Sequence, residues 1–137
     1  MRKSRAVPIA TLMLGLVLGA GATSFVYGQQ SGISRSILQQ QDIADLPGHV
    51  AVLATVELPA GAAIDRHTHP GTEIGYVLDG SGTLTVEGEE PRPIKSGDSW
   101  VIPAGKPHDG KAGPDGSIKV LAVFVVEKGK PLASPVP

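Results

Sequence analysis

Short apolar runs, repeatedly interrupted by turn-forming residues, restrict the fold of this 137-residue chain more than any other feature. Between residues 50 and 126, glycine, proline and aspartate break these runs before any reaches the usual length of a helix. The runs predict strands at residues 50–58, 63–69, 73–78, 82–86, 99–102 and 118–126, and residues 33–46 predict one more strand or a helical turn. Many short strands with frequent turns are typical of an all-β sandwich or small barrel.

Two motifs in this region concentrate side chains that bind metal ions. The first reads G-x5-H-x-H-x3-E-x6-G and contains His67, His69 and Glu73, and the second reads G-x5-P-x-G-x2-H and ends at His108. Three of the four histidines of the chain therefore lie in the motifs. Three imidazoles and one carboxylate suit Fe, Mn, Cu, Ni or Zn, so we predict a site for one divalent transition metal.

The spacing of the first motif has a direct structural meaning. On a strand, His67 and His69 project from the same face, about 6.6 Å apart along the backbone. Glu73 has the same phase but would lie about 13 Å beyond His69 on a straight strand. Pro70 and Gly71 supply a break at which the chain can turn and bring Glu73 back toward the histidines. The ligand of the second motif must come from a distant strand, which predicts a closed or sandwiched β architecture.

The paired motifs resemble the two signatures of the cupin superfamily, whose fold is a double-stranded β-helix, or jelly-roll barrel. The resemblance covers residues 36–130 and fills every signature position of the first motif. The second signature usually closes with asparagine where this chain has Ala112, so we expect a changed loop at residues 108–116 rather than a changed ligand set. The resemblance implies four metal ligands, which are His67, His69, Glu73 and His108.

The resemblance also implies an enzyme that acts on a small molecule, with quercetin-dioxygenase-like, other oxygenase or isomerase chemistry. A metal with open coordination positions acts as a Lewis acid or, if redox-active, in dioxygen chemistry. Glu73 is the ligand that can also move a proton, and we therefore assign it a catalytic role. Two alternatives stay open: a non-catalytic small-ligand or metal-binding module of the cell envelope, and a structural ion that ties two sheets together.

Other side chains near the motifs are assigned to packing or to the surface. Tyr76 has the opposite phase to Glu73 and so points away from the metal face. Both Tyr76 and Trp100 are interpreted as packing residues, and the alternative is that they line a ligand cavity. Arg66 has the opposite phase to the histidine beside it. We therefore predict no arginine in the pocket, which argues against oxalate-type chemistry. His49 has no partner at ligand spacing and is assigned to the surface.

The first 28 residues have the character of a targeting segment. Three basic residues within the first five precede an uncharged, largely apolar run at residues 6–22. Cleavage is expected after Ala22 or Gly28, and the alternative is an uncleaved membrane anchor. Either outcome predicts a periplasmic, cell-envelope or extracellular domain. The predicted organisation is a signal or anchor at 1–28, a linker at 29–35, the cupin domain at 36–130 and a proline-rich tail at 131–137.

Charge and hydrophobicity indicate which partners to expect. Beyond residue 28, nine Lys and Arg residues face thirteen Asp and Glu residues, a net charge of −4 without a basic stripe, which argues against nucleic-acid binding. Residues 121–126 are apolar at all six positions, so this strand is predicted to be covered on both faces. A homodimer partner supplies one such cover, and the N-terminal strand or the C-terminal tail is the alternative.

Overall fold

The computed structural model of the protein describes residues 32–137, and each regular element in this range is a β-strand. The strands in this range are β1 Ser34–Asp42, β2 His49–Leu58, β3 Ala63–Thr68, β4 Gly71–Val86, β5 Arg92–Lys95, β6 Ser99–Ile102, β7 His108–Ala112, β8 Ile118–Glu127 and β9 Ser134–Pro135. The predicted all-β class is therefore confirmed. The predicted signal or anchor lies outside the described residues. Within residues 32–137, the structure has no helix of the length and hydrophobicity needed to cross a membrane.

The long strand β4 joins two layers of the fold. Its first part, residues 71–80, pairs with β8 and β6, and the order β1-β2-β8-β4-β6 makes up what we call the first sheet. Its last part pairs with β5 and β7, and the order β5-β4-β7-β3-β9 makes up the second sheet. Buried side chains from both sheets pack together between them. The result is one continuous sheet curled into the double-stranded β-helix that the sequence motifs imply.

The corner between the two sheets lies at Gly80. The sequence predicts a turn at Asp79 and Gly80 between two separate strands, and this is wrong, because β4 runs without interruption from Gly71 to Val86. A bulge at residues 77–79 and a positive φ of 82° at Gly80 bend the strand while its backbone stays paired. A Cβ atom at Gly80 would lie 2.0 Å from the carbonyl oxygen of Ser117, so glycine is required there.

Both ends of the described chain take part in the sheets. Residues 33–46, predicted as a strand or a helical turn, contain β1, which pairs along β2. At the other end, Leu132 is fully buried with core residues of β2 and β8, and β9 pairs with β3. The folded unit thus reaches beyond residues 36–130, because the residues of the proline-rich segment fill the end of the core.

The departure of the second motif from the cupin pattern has a structural explanation. Ala112 is the last residue of β7 and is buried in the core between the sheets. Its amide donates to the carbonyl of Ala62, and the next amide, at Gly113, donates to Ser81. A small apolar side chain fits this enclosed position, and the backbone bonds hold the start of the 113–117 turn.

The outer face of the first sheet is only partly covered. In β8 the inward residues are buried, whereas the outward residues Leu121, Val123 and Val125 are half-buried. The expectation that this strand is fully covered on both faces is therefore not met within the described chain. The cross-strand neighbours Ile74 and Tyr76 on β4 share this face and are 43% and 46% exposed.

Candidate metal centre

Two adjacent strands of the second sheet bring together predicted ligands that are far apart in sequence. His67, near the end of β3, pairs directly with His108, the first residue of β7. Cross-strand partners share a face of the sheet, and the two ring centroids are 4.3 Å apart. His108 thus comes from a distant strand, as the sequence predicts.

The other two predicted ligands lie on either side of the turn between β3 and β4. His69 follows the last residue of β3, and Glu73 is the third residue of β4. Gly71 allows the close approach of β4 to β8, because a Cβ atom there would lie 2.0 Å from the carbonyl oxygen of Val125. The turn brings His69 Nε2 within 2.8 Å of Glu73 Oε2, which confirms the predicted return of the carboxylate.

The four predicted ligands form one buried group, which we call the His/Glu cluster. One nitrogen of each imidazole and one oxygen of the carboxylate all lie within 4.8 Å of one another. The four residues are between 3% and 7% exposed and are His67, His69, Glu73 and His108. Each sequence-predicted ligand is therefore found in the same place.

Backbone carbonyls determine which ring nitrogen faces the centre of the cluster. The Nδ1 atom of each histidine lies within hydrogen-bond distance of a carbonyl oxygen, and because a carbonyl only accepts, each Nδ1 must donate. The distances are 2.7 Å from His67 to Asp65, 2.6 Å from His69 to Leu132 and 2.9 Å from His108 to Lys106. Carbonyl bonds of this kind orient metal-binding imidazoles and leave Nε2 available as the ligand atom.

The donor atoms are spaced as they would be around a shared cation. His69 Nε2 and His108 Nε2 lie 2.8 and 3.1 Å from Glu73 Oε2. Two ligands about 2.1 Å from one ion and at right angles to each other lie about 3 Å apart. Moreover, His69 Nε2 is buried, and no side chain of the described residues gives it an aligned hydrogen bond. A lone pair in this position fits a metal ion, so the residues present suit the predicted divalent metal.

The charge states of the cluster also suit a cation. Burial, together with the neighbouring charge of His108, lowers the pKa of His67 to about 4, so this imidazole is neutral near pH 7. Burial alone would raise the pKa of Glu73, but its contacts with His108 and His69 outweigh burial and hold the pKa below its ordinary value. For His108, burial acts to lower the pKa, but the hydrogen bond and the charge of Glu73 outweigh burial, so the pKa of His108 is raised above its ordinary value. An ionised carboxylate beside a neutral imidazole is the combination that binds metal.

Trp100, which the sequence indicated as a packing residue or, alternatively, a cavity-lining residue, contacts one of the predicted ligands. Its indole Nε1 donates a 3.0 Å hydrogen bond to Glu73 Oε1. It lies opposite Gly75 on the neighbouring strand β4, and a Cβ atom at Gly75 would come 2.1 Å from the indole ring. A signal was present in the sequence, since Trp100 has the same phase as the buried residue Ile102.

A cavity of about 90 Å³ adjoins the His/Glu cluster inside the fold. Its wall is mainly apolar, and it includes the side chain of Trp100 and, contrary to prediction, an arginine, Arg35 on β1. Arg66 lies outside it and forms an ion pair with Glu87, as its phase predicts. Tyr76 is 46% exposed and, as predicted, points away from the cluster.

Comparison with known proteins agrees with the geometry. The Cupin_2 model of the cupin domain matches residues 54–124, about half of the chain. The chain is 40% identical over 53 residues to the dimethylsulfoniopropionate lyase DddQ of Ruegeria pomeroyi, a match that covers 39% of this chain and 26% of that protein. It is 34% identical over 87 residues to acireductone dioxygenase 1 of Physcomitrium patens, with 61% and 43% covered. The chain thus spans less than half the length of these curated relatives.

Solved structures have the same fold. The crystal structure of DddQ from Ruegeria pomeroyi matches with a TM-score of 0.58 at 27% identity, over 63% of this chain and 43% of that chain. A cupin-like protein from Thermotoga maritima matches with a TM-score of 0.62 at 23% identity, over 76% of this chain and 75% of that chain, and this likeness concerns the fold alone. From the family match, the two motifs and the curled sheet together, we conclude that the chain belongs to the cupin superfamily.

Proposed function

We propose that this protein is a metal-dependent enzyme that acts on a small organic molecule in the cavity beside the His/Glu cluster. The proposal depends mainly on one observation: three imidazoles, each with Nδ1 held by a backbone carbonyl, place one ring nitrogen within 4.8 Å of one oxygen of a buried carboxylate. A purely structural site is normally closed, whereas this cluster borders a cavity. The arrangement therefore favours chemistry over a structural role.

Individual residues would have distinct roles in this site. The three histidines and Glu73 would hold the metal, which when bound would supply Lewis acidity or, if redox-active, dioxygen chemistry. Trp100 holds the second carboxylate oxygen in place. Phe124, whose ring lies 4.7 Å from that of His69, restricts the movement of that imidazole and helps to exclude water. Apolar walls of this kind strengthen electrostatic interactions with a bound substrate.

The names of the relatives support small-molecule chemistry and leave the reaction class to experiment. One relative is a lyase and the other is a dioxygenase. We favour dioxygenase-like chemistry, with isomerase-like chemistry next. Oxygen consumption measured with and without candidate substrates, on the iron-, copper-, nickel- and manganese-loaded protein, separates oxygenase chemistry from isomerase or lyase chemistry.

The assignment of Glu73 as a proton-transfer residue stays a prediction. Oε1 accepts a hydrogen bond from Trp100, and Oε2 faces His69 and His108. A general base needs an oxygen that can reach the substrate proton, so these contacts favour the ligand role. If Glu73→Gln keeps the metal but loses the solvent isotope effect on turnover, the catalytic role gains support. If the metal is lost, the residue acts first as a ligand.

Metal content per chain is the decisive test of the proposal. Protein matured by its own export route is expected to hold about one equivalent of metal, and the double variant His67→Ala/His108→Ala is expected to hold none. His49→Ala is the matched control, because His49 lies away from the cluster, with its Nδ1 3.3 Å from the carbonyl of Pro47. Metal that persists in the double variant would contradict the ligand assignment.

A second measurement separates an enzyme from a non-catalytic binding module. In the manganese- or copper-loaded protein, water proton relaxation reports whether the metal keeps an exchangeable water. Rapid exchange is expected for an enzyme, which needs an open position. A saturated coordination shell would exclude the enzyme and leave the binding module as the function.

Export to the periplasm, cell envelope or extracellular space remains part of the proposal. It is supported by the charged start and apolar run of residues 1–28. Cell fractionation, with N-terminal sequencing of the mature chain, tests both export and the choice between a cleaved signal and a retained anchor. Full-length protein in the cytosolic fraction would contradict it.

A further inference from the structure

We infer that the cavity beside the His/Glu cluster binds a small organic carboxylate, whose anionic group is held by Arg35. This inference rests on the proposed function, since it names the substrate class of the same site. Nothing in the sequence motifs or in the family match assigns Arg35 a role, because residue 35 precedes both.

The pairing of the first sheet directs Arg35 inward. Arg35 lies opposite Val56, Val56 lies opposite Val120, and Val120 lies opposite Val77. Cross-strand partners share one face of a sheet, and Val77 and Val120 belong to the buried core. Arg35 therefore extends from the inner face, where it lines the same cavity as the His/Glu cluster. Its Nη2 atom is withdrawn from solvent.

The wall of the cavity that Arg35 lines is mainly apolar. Asp109 and Lys111 also border the cavity. They alternate along β7 with the inward-facing buried residues His108 and Ala112, so their side chains extend from the opposite face of the strand. The remaining wall consists largely of aliphatic side chains, among them Leu58, Ile64, Leu84, Ile94 and Ile118. A guanidinium group keeps its charge in every environment, and an apolar wall strengthens its attraction to an anion that enters the cavity. Its planar fork matches the two oxygens of a carboxylate.

The position of Arg35 relative to the cluster limits the shape of the ligand. Arg35 is level with Val120 on β8, whereas Glu73 is level with Phe124, four residues along the same strand. Along the backbone this separation is about 13 Å. Because the arginine side chain is long, its guanidinium group can lie closer to the His/Glu cluster than its backbone does. The carboxylate and the reactive group should therefore lie at opposite ends of a short apolar molecule, with the reactive group next to the His/Glu cluster.

Direct binding measurements on the full metal-loaded protein test this inference. The probes are pentanoate and its uncharged analogue pentanamide, titrated calorimetrically. Arg35→Met removes the charge and keeps much of the length, Arg35→Lys keeps the charge without the fork, and Arg66→Met is the matched control outside the cavity. We expect Arg35→Met to bind pentanoate about tenfold or more weakly than wild type, Arg35→Lys to be intermediate, and Arg66→Met to be unchanged. Pentanamide should bind weakly and equally to all four proteins.

The outcomes distinguish this inference from the proposed function. Equal pentanoate affinity in wild type and Arg35→Met would overturn the inference, since the carboxylate would then be bound elsewhere, for instance at the metal. The metal content of the same samples shows whether the His/Glu cluster is intact, and circular dichroism shows whether each variant is folded. A titration of the chelated protein completes the test. Pentanoate binding that depends on Arg35 without metal would support the anion site even if the metal-dependent function failed.

Discussion

The indole Nε1 of Trp100 donates a 3.0 Å hydrogen bond to Oε1 of Glu73, the carboxylate oxygen turned away from the imidazoles. The other oxygen, Oε2, faces His69 and His108. A residue of the second motif region thus orients the one acidic residue of the His/Glu cluster, across the pairing of β4 with β6. Trp100 therefore holds a predicted ligand in place without being a predicted ligand itself.

Loss of this hydrogen bond should weaken metal binding without unfolding the protein. Trp100→Phe keeps an aromatic ring against Gly75 but leaves Oε1 free to rotate. We expect metal affinity to fall by about 10- to 100-fold, the range typical of such supporting contacts. Competition titration with a chromophoric chelator measures the affinity. Tyr76→Phe is the control, because Tyr76 points away from the cluster. Unchanged affinity in Trp100→Phe would show that the bond does not position Glu73.

Gly75 should be intolerant of any side chain. A Cβ atom there would lie 2.1 Å from the Trp100 ring, a rigid group that cannot move without leaving Glu73. We expect Gly75→Ala to lower the free energy of unfolding by about 1–3 kcal/mol and to weaken metal binding as well. Urea denaturation and the chelator titration measure the two effects. Gly116→Ala is the control, because nothing lies within 4 Å of the added atom and φ is not positive. Equal stability of the two variants would contradict the clash.

The metal-free protein should lose stability as the pH falls from about 6.5 to 4. Burial lowers the pKa of His67 to about 4, whereas the unfolded chain titrates near 6.5. Between these values the unfolded state binds a proton that the folded state does not, so acidification favours unfolding, by about 3 kcal/mol over the full window. Glu73, whose folded pKa is lowered, adds to this loss only below pH 4.5. The raised pKa of His108 stabilises the fold below 6.5, and this contribution is lost at higher pH.

Chemical denaturation of the chelated protein at a series of pH values tests this prediction. His67→Gln should have a flatter stability profile between pH 6.5 and 4, and His49→Gln should keep the wild-type profile. Identical profiles for wild type and His67→Gln would show that the buried imidazole is not the source of the pH dependence.

The homodimer inferred from residues 121–126 stays a prediction. On the outer face of the first sheet, Ile74 and Val101 are cross-strand neighbours and are 43% and 66% exposed. If this face is the dimer interface, Val101→Glu should produce monomers in sedimentation velocity experiments, since it would bury a charge. Ser117→Glu adds the same charge at an exposed site in the 113–117 turn and should leave the dimer intact. A monomeric wild-type protein would contradict the prediction.

Local spacing was sufficient to identify the residues of the His/Glu cluster and the strand class. His67 and His69 are two residues apart, and this spacing places them on one face of any regular strand. Apolar runs bounded by glycine and proline likewise predict strands wherever the runs are long enough. Strands β5, β7 and β9 were not predicted, because they are short and polar or rich in proline and glycine. Their pairing partners stabilise them rather than their own side chains.

The contacts of Arg35 and Trp100 could not be predicted from the sequence. Their phase was readable, since Arg35 has the same phase as Ile33 and Ile37, and Trp100 has the same phase as Ile102. What each faces depends on long-range pairing, on a register shift between Ile37 and Gln39 in β1, and on the close approach allowed by Gly75. The sequence alone determined which residues can bind a metal and on which face of a strand they lie, because side-chain chemistry and the period of two are local properties. Only the tertiary structure decided that an arginine enters the cavity and that an indole holds the carboxylate, because these contacts join strands whose register no local pattern specifies.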